Sequence, residues 1–300
     1  MKHAVEKRPG HGLKLAVHRF TPAGPTTSGV RVLWLHGFLD CGQSADLVAR
    51  GLTAAGHEVI APDMRGFGGS DAVGGGGYYH FPNYIADVVT MLRDIDGDQV
   101  RTSVVCGHSM GGTIASMLSG SRPELVSALV LLEGLGPPAM PPTVAMPRMR
   151  RWIDQLHDAP EARVLASEED ALSRLARHHA RVPRDVLSSR VAYLTRRDAE
   201  GQLVWAYDPM HRSTAPTPFF VEAFKGFLSE IRCPVLCVGG GSAGWHPEDE
   251  EDRLAAFPSV VQRVDFPEAG HMMHWSAAPK TATAICDFIT GSLALAKPEA

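Results

Sequence analysis

Val104-Val105-Cys106-Gly107-His108-Ser109-Met110-Gly111-Gly112 is the stretch whose reading decides the fold. The run Arg101 to Cys106 predicts a buried strand, and Thr113 to Leu118 suits a helix. Between them, Gly107-x-Ser109-x-Gly111 leaves one residue at a very tight strand-to-helix corner. Such a corner holds its residue in strained backbone angles, at a cost of about 1–3 kcal/mol. Glycine on either side removes the Cβ that would block the approach of strand and helix. The corner pushes the Ser109 hydroxyl out above the sheet. It also aims the first helical N–H groups at the same point. This is the pattern of a nucleophile elbow.

Outward from the corner, strands and helices alternate. Leu13 to Phe20 alternates apolar and polar residues, the period of an exposed edge strand. Val30 to Leu35 predicts a core strand that ends at His36-Gly37-Phe38-Leu39-Asp40. Ala45 to Ala55 suits a helix, stopped by Gly56, and His57 to Ala61 a strand. Pro22 to Gly29 and Pro62 to Gly77 read as turn-rich loops. Ile85, Val88, Val89, Leu92 and Ile95 share one face of a helix over Pro82 to Ile95. Val126 to Leu132 is the strand after the elbow helix. The alternation predicts an α/β fold with a mainly parallel central sheet and helices on both faces.

After Glu133 the rhythm breaks. Gly134 to Pro147 is proline-rich, and Arg148 to about Ser229 reads as several helices without strong strands. Strands resume at Pro234 to Gly239 and Val260 to Phe266, and Ala278 to Leu295 closes with a helix. The expected organisation is a core domain of residues 1–134 and 231–300, with a helical cap at 135–230.

Composition narrows the class. The 300 residues are 44% hydrophobic and 21% charged with a net charge of −4, which suits a soluble globular protein with a large core. Charges of both signs are interspersed, so a nucleic-acid partner is not expected. No apolar run reaches about 18 residues, so no membrane span is expected. Met1 to Arg8 lacks the apolar stretch of a secretory signal. The five cysteines are scattered and odd in number, as in a reducing, cytoplasmic setting. Cys233-x-x-x-Cys237 has no matching Cys/His pair and reads as buried strand residues rather than a metal site. No metal or cofactor is expected. Arg174, Arg177, Arg181 and Arg184 are roughly matched by Glu168, Glu169, Asp170 and Asp185, as on a solvated helix surface.

The elbow keeps company with three other stretches. They are His36-Gly37, Asp63-Met64-Arg65-Gly66-Phe67-Gly68-Gly69-Ser70 and Gly270-His271. Together, in this order and over most of the chain, they resemble the α/β-hydrolase superfamily. The resemblance implies that the cap is inserted after the Val126–Leu132 strand. It also implies that Ser109 is a nucleophile and His271 its base. A serine hydroxyl needs such a base, and imidazole suits the task with a pKa near about 6.5. His274 is the alternative to His271, while His108 reads as a packing residue. The acid departs from the commonest pattern. Ala243 stands about where an aspartate is usual, in Gly239-Gly240-Gly241-Ser242-Ala243-Gly244-Trp245. Glu133 ends the neighbouring strand, a place where related haloalkane dehalogenases carry a carboxylate, and it is the expected acid. Glu248 and Asp249 are the alternatives.

Backbone N–H groups of Phe38 and Met110 are the expected oxyanion donors. Asp63 and Arg65 read as loop braces, and Trp205 to Pro209 as residues buried between cap and core. Met140, Met146 and Met149 suggest an apolar acyl or aryl pocket. The expected activity is hydrolysis of a small apolar carboxylic ester through a Ser-His-acid triad and an acyl-enzyme. Carbon–carbon bond hydrolysis and perhydrolysis use the same triad and stay open, as does non-catalytic binding on the same fold. Epoxide hydrolases and haloalkane dehalogenases use an aspartate nucleophile, which Ser109 is not.

Overall fold

The computed structural model describes residues 1–24, 30–97, 100 and 103–295. Residues 25–29 of the expected connector, Arg101 and Thr102 of the expected elbow strand, and residues 98–99 and 296–300 of the expected core domain lie outside these. Strands β1 (Lys2–Pro9) and β2 (Lys14–Thr21) open the chain. Next come β3 (Arg31–Leu35), α1 (Asp46–Ala54), β4 (Glu58–Pro62) and α2 (Phe81–Asp96). The elbow strand is β5 (Ser103–His108), its helix α3 (Met110–Ser121), and β6 (Val126–Leu132) follows. Helices α4 (Ala145–His157), α5 (Glu168–His178) and α6 (Arg184–Leu194) come next. A ribbon of β7 (Thr195–Arg197) and β8 (Leu203–Trp205) then precedes α7 (Val221–Leu228). β9 (Val235–Gly239), α8 (Glu250–Leu254), β10 (Gln262–Asp265), α9 (Met273–Ser276) and α10 (Ala278–Leu295) complete the order.

Eight strands form one sheet in the order β1-β2-β4-β3-β5-β6-β9-β10. From β4 to β10 the neighbours run parallel, while β1 and β2 are antiparallel additions at one edge. Period-two burial gives each face of the sheet its own core. Leu33, Val105 and Leu131 pack on one face with Val88 of α2 and Ile114 of α3. Val32, Val104 and Val130 pack on the other with Val48 of α1 and Ile285 of α10. The chain order reverses between β3 and β5. Ligands of open parallel sheets bind at such a point, outside the carboxyl ends of the strands.

Four details differ from the sequence expectation. β1 is a strand although its residues are mostly exposed, so no apolar period marks it. Because β1 covers it, β2 is interior rather than an edge, and Leu15, Ala16 and Val17 are buried. The β7–β8 ribbon lies in the segment read as purely helical, and its strands of three residues are too short for a period to show. Cys233 is buried but precedes β9, so only Cys237 lies on the strand.

The segment between β6 and β9 packs its own apolar residues, including Leu172, Leu187 and Val191, against Cys41, Met272 and Trp275. A buried ion pair ties it down. Arg190 of α6 donates to Asp46 of α1 at 2.7 Å. The arginines expected to be matched by acids include three with partners: Arg174 with Asp170, Arg181 with Glu268 and Arg184 with Glu169.

Candidate active site

Ser109 stands between β5 and α3 with φ 51° and ψ −115°, in the left-handed region that a non-glycine residue rarely occupies. Crowding explains its flanking glycines. A Cβ on Gly107 would lie 2.4 Å from the Gly111 carbonyl oxygen, and one on Gly111 would lie 2.0 Å from that of Leu35. Backbone hydrogen bonds hold the strained residue from both sides. Ser109 N–H donates to the Leu132 carbonyl at 3.0 Å, and its own carbonyl accepts from Gly112 and Thr113.

Glu133, one residue past β6, also has positive φ, at 47°. Its buried carboxylate meets His271, which follows Gly270 in the turn after β10. His271 Nδ1 lies 2.5 Å from Glu133 Oε2. Gly240 N–H donates to Oε1 and Trp245 N–H to Oε2, each at 2.6 Å. The glycine run that lacks the usual aspartate is therefore the cradle of this carboxylate. A Cβ on Gly244 would lie 1.7 Å from Glu133 Oε1. The volume in the β9 loop is filled from β6 instead of from the loop itself. Ala243 belongs to the turn Gly241–Ala243. Asp249 faces Arg253 at 2.8 Å, and among the described residues neither it nor Glu248 pairs with His271. With Nδ1–H donating to the carboxylate, Nε2 of His271 keeps its lone pair.

His108 and His274 stand behind His271. His108 Nε2 donates to the His271 carbonyl at 2.9 Å, and His274 Nε2 to Asp40 at 3.2 Å. Burial lowers the pKa of both rings, and the other histidines nearby push His108 lower still. Donor atoms of Asp40, His108 and His274 lie within 4.8 Å of one another, the one such metal-capable set among the described residues. The Nε2 atoms make the bonds just named, His108 Nε2 bracing the His271 turn, while Nδ1 of both rings is buried without a hydrogen-bond partner among the described residues.

The loop after β3 lies against the elbow. A Cβ on Gly37 would sit 3.4 Å from Ser109 Cβ. His36 holds this loop. Its Nε2 accepts from Met64 N–H at 2.9 Å and its Nδ1–H donates to the Gly37 carbonyl at 2.7 Å. Burial lowers its pKa and favours this neutral form. Next to it, Phe38 N–H has no acceptor among the described residues; neither has Met110 N–H, at the first helical position. Asp63 and Arg65 brace the neighbouring loop. Asp63 accepts from Gly42 and Gly69 N–H, and Arg65 makes a two-point contact with buried Asp87 at 2.6 and 2.7 Å.

Ser109, His271, Glu133, Phe38 and Met110 all border one cavity of about 920 Å³. Met117, Met140, Phe219 and Phe224 supply apolar wall, whereas Met146 and Met149 are exposed and outside it. Trp205 to Pro209 does not line it. Tyr207 instead bridges to Phe67, and Asp208 accepts from Tyr79 at 2.6 Å. Sequence reasoning missed the cradle of Gly240, Gly244 and Trp245, whose signal was the glycine run itself. It also missed Arg148, on the cavity wall, which no motif marks.

A family model described as the alpha/beta hydrolase fold matches residues 30–278. A serine hydrolase-like protein of Dictyostelium discoideum is 33% identical over 132 residues, which are 42% of this chain and 34% of that protein. The chain thus spans about a third to a half of the length of the first curated relatives it matches. The sn-1-specific diacylglycerol lipase of Xenopus laevis is 26% identical over 87% of this chain and 80% of its own length. Among solved structures, the thioesterase domain from the curacin biosynthetic pathway superposes with a TM-score of 0.83 at 23% identity, over 96% of this chain and all of that one. Elbow, sheet order and family model agree, and the chain belongs to the α/β-hydrolase family.

Proposed function

We propose that this chain is a serine hydrolase that cleaves carboxylic esters through an acyl-enzyme. Ser109 Oγ attacks the acyl carbon while His271 Nε2 takes its proton. Glu133 holds the imidazole in the required tautomer and stabilises its charge. The N–H groups of Phe38 and Met110 receive the oxyanion, and losing one such donor costs roughly 10²–10³ in rate in comparable sites. The carbon–oxygen bond breaks, His271 returns the proton to the leaving alcohol, and water repeats the cycle on the acyl-serine.

The observation that carries this reading is the 2.5 Å contact of His271 with Glu133 at a cavity that Ser109 also borders. A buried carboxylate pinned by two N–H groups behind that ring supports catalysis over binding alone. Relatives that span most of the chain are named for esters or oligomers: the diacylglycerol lipase and a 3-hydroxybutyrate-oligomer hydrolase of Cupriavidus necator. The segment between β6 and β9 serves as a cap over the cavity, and its Met140 and Phe219 suit an apolar acyl chain. Hydrolysis of p-nitrophenyl esters of graded chain length tests the reading. Wild type should turn over and Ser109→Ala should not; equal rates from both would remove it.

A further inference from the structure

Arg148 is the charged side chain that α4 contributes to the cavity lining, which it shares with Tyr78, Ser213 and Ala215. Its Nε–H donates to the Ala215 carbonyl at 3.0 Å, which fixes the orientation of the guanidinium plane. Among the described residues no carboxylate pairs with it. Arg190, buried in the same segment, has its acid in Asp46. Arg150 and Arg151, beside Arg148 on α4, are exposed, whereas Arg148 is half-buried.

Its surroundings are rich in donors. Tyr78 Oη and Ser213 Oγ lie 3.0 Å apart. Burial raises the Tyr78 phenol above its ordinary pKa while Arg148 draws it down, which puts the positive charge beside this hydroxyl. Trp152, one helical turn on from Arg148, packs edge-on against Tyr78 at 5.8 Å. Its indole Nε1–H is buried and has no acceptor among the described residues. A guanidinium that lines the cavity wall with no carboxylate partner among the described residues has N–H groups that an anionic ligand can engage.

We infer that Arg148 makes this cavity selective for esters that carry a second, anionic group, a carboxylate or a phosphate, on the part bound beneath α4. The guanidinium fork suits either planar carboxylate or phosphate oxygens, in a charge-assisted contact. The inference rests on the ester-hydrolase reading for its chemistry but not for its binding, and the test separates the two. p-Nitrophenyl esters ending in a methyl group, a carboxylate or a phosphate, with chains of graded length, are offered to wild type, Arg148→Met and Arg148→Lys. Binding of the same esters to Ser109→Ala, with and without Arg148→Met, is measured by calorimetry.

At its best chain length, wild type should prefer one anionic ester over the methyl-ended one in kcat/KM by roughly 10-fold or more. Arg148→Met should lose that preference, mainly through a raised KM on the anionic ester, so that the ratio of anionic to methyl-ended kcat/KM falls to about 1. Arg148→Lys should keep part of it. The carboxylate and phosphate arms identify the anion. Equal use of neutral and anionic esters by wild type, or an equal loss on all three in Arg148→Met, overturns the inference and leaves the ester reading standing. Anion-selective binding to Ser109→Ala without turnover by wild type supports the Arg148 site and removes the ester reading.

Discussion

In the proposed mechanism Glu133 is the residue that orients the base. Its carboxylate accepts from Gly240, Trp245 and His271, so no lone pair that faces the loop is wasted. Glu133→Gln would place an amide N–H against one of these donors and remove the charge that stabilises imidazolium. The expected result is a fall in kcat of roughly 10²–10⁴ with KM little changed, read by steady-state kinetics on a p-nitrophenyl ester. An unchanged kcat would put the acid elsewhere. Ser109 was legible because glycine spacing at a strand-to-helix corner has one steric meaning. Glu133 was legible only as an acid at a strand end. The feature that seats its carboxylate is the absence of Cβ atoms at Gly240 and Gly244, and a sequence shows that only as a missing aspartate.

At the scale of elements, the loop after β9 and the anchor of the segment between β6 and β9 carry the predictions. Gly244→Ala would set a Cβ 1.7 Å from Glu133 Oε1, so carboxylate or loop must move. Activity should drop about as far as in Glu133→Gln while the α/β circular dichroism stays native; full activity would mean the loop relaxes freely. Arg190→Met leaves Asp46 with its buried charge unpaired at the seat of α6. Breaking one side of such a pair costs roughly 3–5 kcal/mol. Urea unfolding should show that loss, and a change below about 1 kcal/mol would mean water reaches Asp46. Elements buried on one face were legible because burial imposes a period. β1 was not, since a mostly exposed strand held by backbone pairing to β2 imposes none. β7 and β8 are held by pairing to each other and are equally silent.

Across the whole molecule, burial keeps a set of histidines neutral. It pushes His211 down to about 3 and His179 down to about 4, and lowers His36, His108 and His274 as well. In the unfolded chain these rings titrate near about 6.5. Between that value and their folded values the unfolded state binds more protons, so stability is full above about pH 6.5 and falls as pH falls. The melting temperature should be level from pH 8 to 7 and decline steadily from about pH 6.5 towards 4. A flat profile down to pH 4.5 would contradict the neutral, buried assignment. His211→Phe should soften the decline, because a phenyl ring fits between Phe67 and Tyr79, now stacked on the imidazole at 3.9 and 3.6 Å. The family was legible from four short motifs, since those motifs sit at or near strand ends that the sheet gathers on one side. The wall of the cavity was not, because it is assembled from side chains of separate elements that share no sequence period. The central claim, that the corner serine is a nucleophile served by His271, is tested most directly by intact-mass spectrometry after a fluorophosphonate probe. Wild type should gain one adduct, mapped by peptide digestion to Ser109, His271→Ala should label far more slowly, and Ser109→Ala should stay unmodified. An unlabelled wild type, or an adduct of equal yield on Ser109→Ala, would contradict it.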